Sequence, residues 1–371
     1  MMIIKDNVYG TIEFSELEER IIDTEVFQRL RRIRQMSITN LVYPGANHTR
    51  FEHCIGTAHL TSVLAAKLVD DAKEREKIKL FGLLHDIGHV AFSHEGEDVL
   101  KPYLGDHEKI GRGLILKSAI SDIINENYNA KDIADMAGDA RGAIVEADIG
   151  ADRMDYLKRD ALNTGVAYGV IDIDRLVHTM RLSGKELCVT EGGMEAAEWL
   201  LIARFMMFSA VYLHKTVRIA TAMVQRAMKY SLEDKTIEPK DFIWLGDDFA
   251  LAKMRESKAA QPYVDGLLKR QLYKEVAQLP EKSMNLQQAK KLETQLSAKF
   301  NCDIIVDYPT QFSKSVELKV MQKNGKLQQL TELSDLVASL LEAEKHRRKI
   351  LVLASAEAKE KYKQKIAKEI I

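Results

Sequence analysis

Residues 83–94, with the sequence LLHDIGHVAFSH, place three histidines and one aspartate in an otherwise apolar stretch. A buried imidazole or carboxylate without a partner costs roughly 1–3 kcal/mol, so an apolar helix ordinarily carries Leu or Ala at such positions. On a helix, His85 and His89 would stand at i and i+4 on one face, with Asp86 adjacent. A divalent cation would satisfy several of these groups at once, and imidazole with carboxylate suits Fe, Mn, Ni or Zn without choosing among them.

The histidines of the whole chain are concentrated around this stretch. A lone histidine on an apolar face is ordinarily a hydrogen-bonded core residue, and His48 and His59 fit that ordinary interpretation. Packing alone does not account for seven of the ten histidines falling between positions 48 and 107. The seven are His48, His53, His59, His85, His89, His94 and His107.

The composition excludes several classes of protein. The net charge of −1 over 371 residues provides no field that would recruit nucleic acid or acidic membranes. The three cysteines are far apart, which predicts neither a disulfide framework nor a cysteine zinc site and favours a reducing cytoplasm. The first ten residues lack the plan of a signal peptide. The apolar run at 200–213 is too short to span a bilayer and contains Arg204, so we expect a buried helix there and no membrane partner.

The periodicity of the chain changes near Pro280. Before it, residues 7–14 indicate a hairpin or extended arm, and helical spacing follows at 23–36, 51–72, 74–90, 132–162 (helix, loop, helix) and 194–230. After it, the pattern predicts a strand at 302–309, a hairpin at 315–330 turned at Asn324–Gly325, a helix at 332–345, a strand at 348–355 and a Lys/Glu-rich terminal helix. We therefore predict a mainly α protein, with an all-helical domain over 1–280 (core 48–230) and a smaller α+β domain over 281–371.

Three motifs carry a family resemblance. The segments RFEH (50–53), HD (85–86) and DRMDYLKRD (152–160) resemble, in order and spacing, the H…HD…D signature of the HD-domain phosphohydrolases. Residues 24–36, 42–56 and 83–94 resemble the subgroup of deoxynucleoside triphosphate triphosphohydrolases, and the likeness extends over roughly residues 7–230. It implies an all-helical HD core with four metal ligands, which are His53, His85, Asp86 and Asp152.

The fourth ligand rests on the resemblance, because spacing alone leaves it open. Asp148, Asp152 and Asp155 lie on one predicted helical face, and any of them could point inward. The family register favours Asp152. Gly150 stands where the family often has an aspartate.

The resemblance also implies a second set of residues around the substrate phosphates. Imidazoles with a near-neutral pKa can deliver a proton to a leaving group or take one from water. Glu108 is adjacent to His107 and could orient it. Without the resemblance, residues 106–109 are typical of the surface start of a helix. The implied catalytic residues are His89, His94, His107 and Glu108.

Further positions match substrate contacts of the resembled enzymes. An arginine side chain suits phosphate oxygens, and an amide side chain suits a hydroxyl group. The four arginines within 29–34 are a separate feature, which indicates a solvated, salt-bridged helix rather than a nucleic-acid surface. Leu213 replaces a polar residue that meets the base, so the base stays open. The implied substrate-binding residues are Gln35, Arg50, Arg153, Tyr156, Asp160, Arg204 and Tyr212.

The expected function is that of a metal-dependent phosphohydrolase acting on nucleotides. Its most concrete form converts a dNTP and water into deoxynucleoside and triphosphate. The alternatives are a general nucleotide phosphomonoesterase or phosphodiesterase, and a nucleotide-sensing protein without turnover. We expect a divalent ion (Fe, Mn, Zn or Ni, with Mg on the substrate phosphates), a nucleotide substrate, no stable nucleic-acid partner, and a homo-oligomer of two or more chains in the cytoplasm.

Overall fold

The chain, described by a computed structural model over residues 1–309 and 316–370, forms two compact units. The first unit comprises Met1–Met207, Glu238–Ala250 and Val316–Ala338. The second comprises Phe208–Ile237, Leu251–Ser315 and Ser339–Ile371. The domain boundary at residue 280 stays a prediction.

Helices make up most of the described chain, so the prediction of a mainly α protein is confirmed. The helices are α1 (Glu16–Ile22), α2 (Glu25–Gln28), α3 (Arg50–Leu68), α4 (Ala72–Leu84), α5 (Ser93–Leu104), α6 (His107–Lys117), α7 (Ala119–Asn125), α8 (Ala130–Ala134), α9 (Ala143–Glu146), α10 (Ala151–Thr164), α11 (Ile173–Thr179), α12 (Met194–Met207), α13 (Lys215–Glu233), α14 (Asp247–Met254), α15 (Gln261–Leu268), α16 (Leu286–Phe300), α17 (Leu330–Leu333), α18 (Asp335–Arg347) and α19 (Ala356–Ile370). The strands are β1 (Met2–Asp6), β2 (Gly10–Phe14), β3 (Met180–Ser183), β4 (Glu186–Thr190), β5 (Lys274–Pro280), β6 (Ile304–Asp307), β7 (Lys319–Met321), β8 (Leu327–Gln329) and β9 (Lys349–Ala354).

The core of the first unit is built on α3, which packs against α4 and α10. The start of α3 is fixed by Glu52, whose carboxylate accepts hydrogen bonds from the backbone N–H and the hydroxyl of Thr49. Asp71 caps α4 by accepting a bond of 2.8 Å from the N–H of Glu74. Residues 7–14, predicted as a hairpin or extended arm, form the turn and second strand of an antiparallel hairpin, whose first strand β1 precedes the predicted range.

A four-stranded sheet in the first unit has the order β3-β4-β7-β8. The pair β3 and β4 lies between the segments that we predicted to be helical, and its short strands turn at Gly184 with φ of 61°. The predicted hairpin at 315–330 is confirmed as β7 and β8, with Gly325 in the left-handed region, although Ser315 lies outside the described residues. Its strand β7 pairs in parallel with β4 and not with the strands near the C-terminus.

The second unit contains a three-stranded antiparallel sheet with the order β5-β9-β6, packed against α16 and α19. The strands predicted at 302–309 and 348–355 are confirmed as β6 and β9. Their apolar side chains are buried because helices cover the sheet, and Ile304, Ile350 and Val352 accordingly have no exposed surface.

The apolar segment at 200–213 belongs to the end of α12 and a π-helical turn at Phe208–Tyr212. No single helix among the described residues combines the length and the apolar composition needed to cross a bilayer. Within the same part of the chain, two consecutive helical stretches, Glu191–Tyr212 and Lys215–Glu233, reach that length and composition only when taken together.

Candidate active site

The helix that we predicted over 74–90 ends earlier, and this separates the two histidines of the opening motif. Helix α4 ends at Leu84, and tight turns follow, in which the N–H of His89 donates to the carbonyl of Asp86 at 3.1 Å. The buried guanidinium of Arg29 donates to the carbonyl of His89 at 2.6 Å and to that of Ile87. The expectation of one helical face carrying both histidines is therefore wrong, because α4 ends before His85 and Arg29 holds the turns that follow it.

Arg29 itself was expected on a solvated helix. Residues Arg29–Arg32 form a 3-10 turn after the short helix α2, and Arg29 has only 1% of its surface exposed. Burial lowers the pKa of its guanidinium to about 10. The solvated interpretation is thus wrong for this one arginine, while Arg31 and Arg32 are exposed.

Four side chains implied as metal ligands come together between α3, the turn after α4, and α10. The Nε2 atom of His53 lies 3.0 Å from Oδ1 of Asp152, and Nε2 of His85 lies 3.6 Å from the same oxygen. Asp86 lies 3.5 Å from Nε2 of His53 through Oδ2 and 3.6 Å from Nε2 of His85 through Oδ1. Both nitrogens are buried and neither makes a hydrogen bond within the described chain. Two imidazoles and two carboxylates with unused donor atoms fit a divalent cation in charge and chemistry.

The other ring nitrogen of His53 is held by an acidic residue on α10. Its Nδ1 lies 2.7 Å from Oδ2 of Asp155. Arg159 donates to both oxygens of Asp155 at 2.9 Å and to Asp6 at 2.8 Å. Carboxylates in this position fix the orientation of a metal-binding imidazole, so Asp155 lies behind His53 while Asp152 lies in front of it.

The electrostatics of this cluster favour a positive charge between the carboxylates. Although burial opposes it, the carboxylates of Asp152 and Asp155 raise the pKa of His53 to about 10. Burial likewise opposes ionisation of Asp86, yet His85 and the neighbouring guanidinium of Arg50 lower the pKa of Asp86 well below its ordinary value. A proton therefore occupies His53 when a cation does not, and the two compete for this imidazole.

The glycine at position 150 is explained by packing. A Cβ atom there would lie 2.2 Å from the carbonyl oxygen of Val145, so the aspartate that the family often carries does not fit. Gly150 precedes α10 directly, and this close approach fixes where the helix with Asp152 and Asp155 begins.

The second implied set forms a separate cluster. The rings of His89 and His107 stack with centroids 4.3 Å apart and planes at 9°, and the ring of His94 meets that of His89 edge-on at 4.6 Å. Nδ1 of His107 lies 2.6 Å from Oε2 of Glu97. Burial, followed by the nearby charge of Arg50, lowers the pKa of His89 well below its ordinary value, so this imidazole is neutral.

The carboxylate beside His107 is Glu97 and not Glu108. Glu108 is exposed on the first turn of α6, so the orienting role expected for it is wrong. The hydrogen bond with Glu97 raises the pKa of His107 against the effect of burial. A catalytic role for Glu108 stays a prediction.

The start of α5 is strained. Phe92 and Ser93 have φ of 65° and 53°, in the left-handed region, which costs non-glycine residues roughly 1–2 kcal/mol each. Asp247 holds this turn by accepting from the N–H of Phe92 at 2.8 Å, and the hydroxyl of Ser93 donates to the carbonyl of Arg34 at 2.8 Å. The strained turn sets the direction in which α5 presents its first residues.

One of the implied substrate contacts lies next to the metal cluster, and a second has an unsatisfied polar atom. The guanidinium of Arg50 is buried, contacts the carboxylate of Asp86 and donates from Nε to the hydroxyl of Ser93 at 3.0 Å. Gln35 is partly buried, and its Oε1 is buried without a hydrogen bond among the described residues. An unsatisfied side-chain oxygen is compatible with a hydroxyl group of a ligand.

The implied sugar contacts on α10 differ in their surroundings. Oδ1 of Asp160 lies 2.6 Å from Nε2 of His48, and both side chains are buried. His48 is therefore a buried, hydrogen-bonded residue, as we expected for a lone histidine on an apolar face. Tyr156 is partly exposed, and burial of its hydroxyl raises its pKa.

The two arginines implied for phosphate converge on one aspartate. Arg153 contacts Asp148, and Nη1 of Arg204 lies 3.3 Å from Oδ1 of the same residue. Asp148 lies before α10, so of the three acidic residues predicted on one helical face only Asp152 and Asp155 lie on that helix. Tyr212 belongs to the second unit, where its ring lies 4.5 Å from that of Phe208.

Sequence reasoning missed three residues of this site. Asp155 was left as an alternative ligand, whereas it supports His53 from behind. Glu97 follows His94 by one helical turn, and this i+3 spacing is a signal that could have identified it. No local signal marks Arg29, since its partners are backbone carbonyls distant in sequence.

The fold and this site define a member of the HD-domain phosphohydrolase superfamily, and the chain belongs to that family. Residues 50–160 match the HD domain, and residues 171–371 match the HD associated region.

Three proteins illustrate what the chain is similar to. A protein of Methanocaldococcus jannaschii, MJ1154, is 36% identical over 363 residues, which cover 93% of this chain and 77% of that one. The deoxynucleoside triphosphate triphosphohydrolase SAMHD1 homolog of Dictyostelium discoideum is 29% identical, covering 75% of this chain and 60% of its own length. The crystal structure of a hypothetical protein from Aquifex aeolicus superimposes with a TM-score of 0.81 at 31% identity, covering 98% of this chain and 99% of that one.

Proposed function

We propose that the chain is a metal-dependent hydrolase of nucleotide phosphates, most concretely one that converts a dNTP into deoxynucleoside and inorganic triphosphate. The observation that carries this proposal is the position of Asp86. Its Oδ1 lies 3.6 Å from Nε2 of His85, in the metal cluster, and 3.4 Å from Nε2 of His89, in the second histidine cluster. A phosphate bound at the cation would therefore lie beside imidazoles that can exchange protons.

The chain supplies the remaining groups that this chemistry requires. His53, His85, Asp86 and Asp152 would hold a divalent cation, which polarises a phosphoryl oxygen and lowers the pKa of bound water. His107, hydrogen-bonded to Glu97, can hold the proton that a leaving oxygen needs. The preference for dNTP is supported by the activity for which the Dictyostelium relative is named and by the unsatisfied amide oxygen of Gln35.

The test is a product analysis. The purified full chain is incubated with Mn²⁺ or Fe²⁺ and each of the four dNTPs, and ion chromatography separates triphosphate, pyrophosphate and orthophosphate. We expect triphosphate with an equimolar deoxynucleoside. The double substitution His85→Ala with Asp86→Ala is expected to abolish the reaction, because it removes two of the four metal ligands.

The matched control removes the same kinds of side chain elsewhere. His346 and Glu342 form an exposed pair on α18 at 3.7 Å, and replacing both by Ala is expected to leave the rate unchanged. Release of orthophosphate would replace the proposal with a phosphomonoesterase. Tight nucleotide binding without turnover under either metal would replace it with a nucleotide sensor.

The assembly is part of the proposal as well. The likeness to the triphosphohydrolase subgroup favours a homo-oligomer of two or more chains, and light scattering coupled to gel filtration tests this directly. A monomer at all concentrations would contradict it.

A further inference from the structure

The turn of the N-terminal hairpin has a fixed shape and lies against α10. Oδ1 of Asp6, at the end of β1, accepts hydrogen bonds from the backbone N–H groups of Val8 and Tyr9 at 2.8 and 2.9 Å. Gly10 then begins β2 with φ of 78°, in the left-handed region that favours glycine. One oxygen of the Asp6 carboxylate therefore closes the turn and leaves the other for a contact outside it.

That other oxygen binds Arg159 on α10. Oδ2 of Asp6 accepts from Nη1 of Arg159 at 2.8 Å, and Oδ1 of Asn7 accepts from the same nitrogen at 3.2 Å. The centroid of the Tyr9 ring lies 5.8 Å from the guanidinium carbon, within the range of a cation–π contact. Three residues of the hairpin turn therefore contact a single guanidinium.

The other side of this guanidinium holds the carboxylate behind His53. Nε and Nη2 of Arg159 each donate to one oxygen of Asp155 at 2.9 Å, and Oδ2 of Asp155 lies 2.7 Å from Nδ1 of His53. The side chains of all four residues are buried, with at most 3% of their surface exposed. Three consecutive polar contacts therefore join Asp6 to the imidazole whose Nε2 faces the metal cluster, and burial keeps solvent from screening them.

Helix α3 leaves the space that these contacts need. A Cβ atom at Gly56 would lie 2.0 Å from Oδ1 of Asp155 and 2.2 Å from Nη2 of Arg159. Gly56 follows His53 by one turn of α3, so the two positions lie on one face of the helix. Glycine inside a helix costs roughly 0.5–1 kcal/mol relative to alanine, and here it permits the ion pair of Asp155 and Arg159 to lie directly beside His53.

Asp6 changes the charge that acts on His53. If Arg159 contacted Asp155 alone, one positive and one negative charge would offset each other behind the imidazole. With Asp6, two carboxylates share one guanidinium, and the group behind His53 carries a net negative charge. A negative charge at Nδ1 makes the opposite ring nitrogen a stronger ligand for a cation, so the effect of Asp6 reaches the metal cluster through Arg159.

We propose that Asp6 is a positioning residue for the metal centre and that docking of the N-terminal hairpin is coupled to cation binding at His53. The inference rests on the cation of the proposed function but not on the hydrolysis of nucleotides. The coupling is reciprocal, because contacts that strengthen cation binding must themselves open less often once the cation is bound. A segment that contacts no metal thereby sets the affinity of the site.

The first measurement is the affinity of the full chain for Co²⁺, by competition with a chromophoric chelator after metal removal. Asp6→Asn keeps the shape of the side chain and the oxygen that closes the turn, but it directs an amide NH2 group, which cannot accept, toward Arg159. We expect the variant to bind Co²⁺ about 10-fold more weakly than the wild type, at the lower end of the effect usual for outer partners of a metal ligand.

The matched control is Glu18→Gln, which removes another buried carboxylate close to the hairpin in sequence. The Glu18 side chain is 6% exposed and lies 2.8 Å from Nζ of Lys79 on α4, so it is not part of the contacts that lead to His53. Both substitutions are expected to lower the unfolding temperature of the metal-free chain. Only Asp6→Asn is expected to change the affinity for Co²⁺, which separates coupling from a general loss of stability.

The second measurement is informative even without a substitution. Hydrogen–deuterium exchange with mass spectrometry follows peptides that cover residues 2–14 in the metal-free and the Co²⁺-saturated chain. We expect Co²⁺ to slow exchange of the amides in β1 and β2 in the wild type and in Glu18→Gln, and to slow it less in Asp6→Asn. This result would show that the hairpin responds to a cation that it does not contact.

Equal Co²⁺ affinities in Asp6→Asn and Glu18→Gln would overturn the inference, and so would hairpin exchange that does not respond to Co²⁺ in the wild type. The proposed function would survive either result if the wild type still hydrolysed a dNTP. Coupling in a chain that hydrolyses no nucleotide would support the inference and contradict the proposed function. A wild type that binds no Co²⁺ would contradict both.

Discussion

His53 and Asp155 form a buried hydrogen bond, with Nδ1 of the imidazole 2.7 Å from Oδ2 of the carboxylate. The bond presents Nε2 of His53 to the metal cluster and leaves it without a competing partner. Since Arg159 binds both oxygens of Asp155, the carboxylate cannot turn away from the imidazole. The orientation of one metal ligand therefore depends on a residue that contacts no metal.

Asp155→Asn is expected to weaken divalent metal binding by about 10–100-fold, the usual effect of removing such an outer partner. The amide keeps the shape of the side chain but loses the charge that orients His53 and pairs with Arg159. Competition with a chromophoric chelator measures the affinity. The matched control is Asp135→Asn, which removes the charge from an exposed ion pair in which Arg112 donates to Asp135 at 2.7 Å. Equal affinities in the two variants would show that Asp155 does not position His53.

Gly88→Ala is expected to destabilise the fold by roughly 1–3 kcal/mol, the usual cost of overpacking, because the new methyl group would meet backbone rather than a movable side chain. It should also slow the proposed hydrolysis, since α6 must move away with His107. Calorimetric unfolding and the rate of nucleotide hydrolysis provide the two measurements.

A second glycine serves as the control for that substitution. Gly113 lies on α6, and a methyl group added there would meet no atom of the described chain within 4 Å. Gly113→Ala should therefore raise stability by about 0.5–1 kcal/mol through helix propensity. If both variants were stabilised alike, the close approach at Gly88 would carry no constraint.

Much of the fold could be predicted because helical periodicity is strong where a helix packs one face. The prediction over 51–72 matches α3, and the hairpin at Asn324–Gly325 follows from its turn residues. The strands β3 and β4 were not predicted, because four or five residues carry too little alternation to stand out between helices. The pairing of β4 with β7 is a tertiary contact with no local signal.

The candidate site shows the same division. The motif residues His53, His85, Asp86 and Asp152 could be named from order and spacing, and the structure brings them together. The turns that follow α4 could not, because Arg29 holds them and its partners His89 and Ile87 are 60 and 58 positions away. Local propensity favours continuing the helix, and no local signal marks this contact.

Arg29→Lys is expected to lower stability, because one ammonium nitrogen cannot replace two guanidinium nitrogens. Nη1 donates to the carbonyls of His89 and Ile243, and Nη2 donates to that of Ile87. Each buried carbonyl left unsatisfied costs roughly 1–3 kcal/mol. Urea unfolding measures the loss, and Arg32→Lys, at an exposed position of the same turn, is the control. A loss equal to that of the control would mean that the turn after α4 holds without Arg29.

The pH dependence of stability tests the support of the strained turn before α5. Burial raises the pKa of Asp247 from its ordinary 3.8 to about 6, against the hydrogen bonds that its carboxylate accepts from the N–H groups of Phe92 and Arg34. Because the folded pKa exceeds the unfolded one, the folded chain binds more protons between these two values, and stability falls as pH rises through them. The shift corresponds to a cost of about 3 kcal/mol above the folded pKa. The free energy of unfolding is measured for the wild type and for Asp247→Asn at about pH 4 and at about pH 7. At each pH, the value of the variant is subtracted from the wild-type value. This difference should be lower at about pH 7, by up to about 3 kcal/mol. A difference that is constant or increases with pH would show that the buried carboxylate is not the group that titrates.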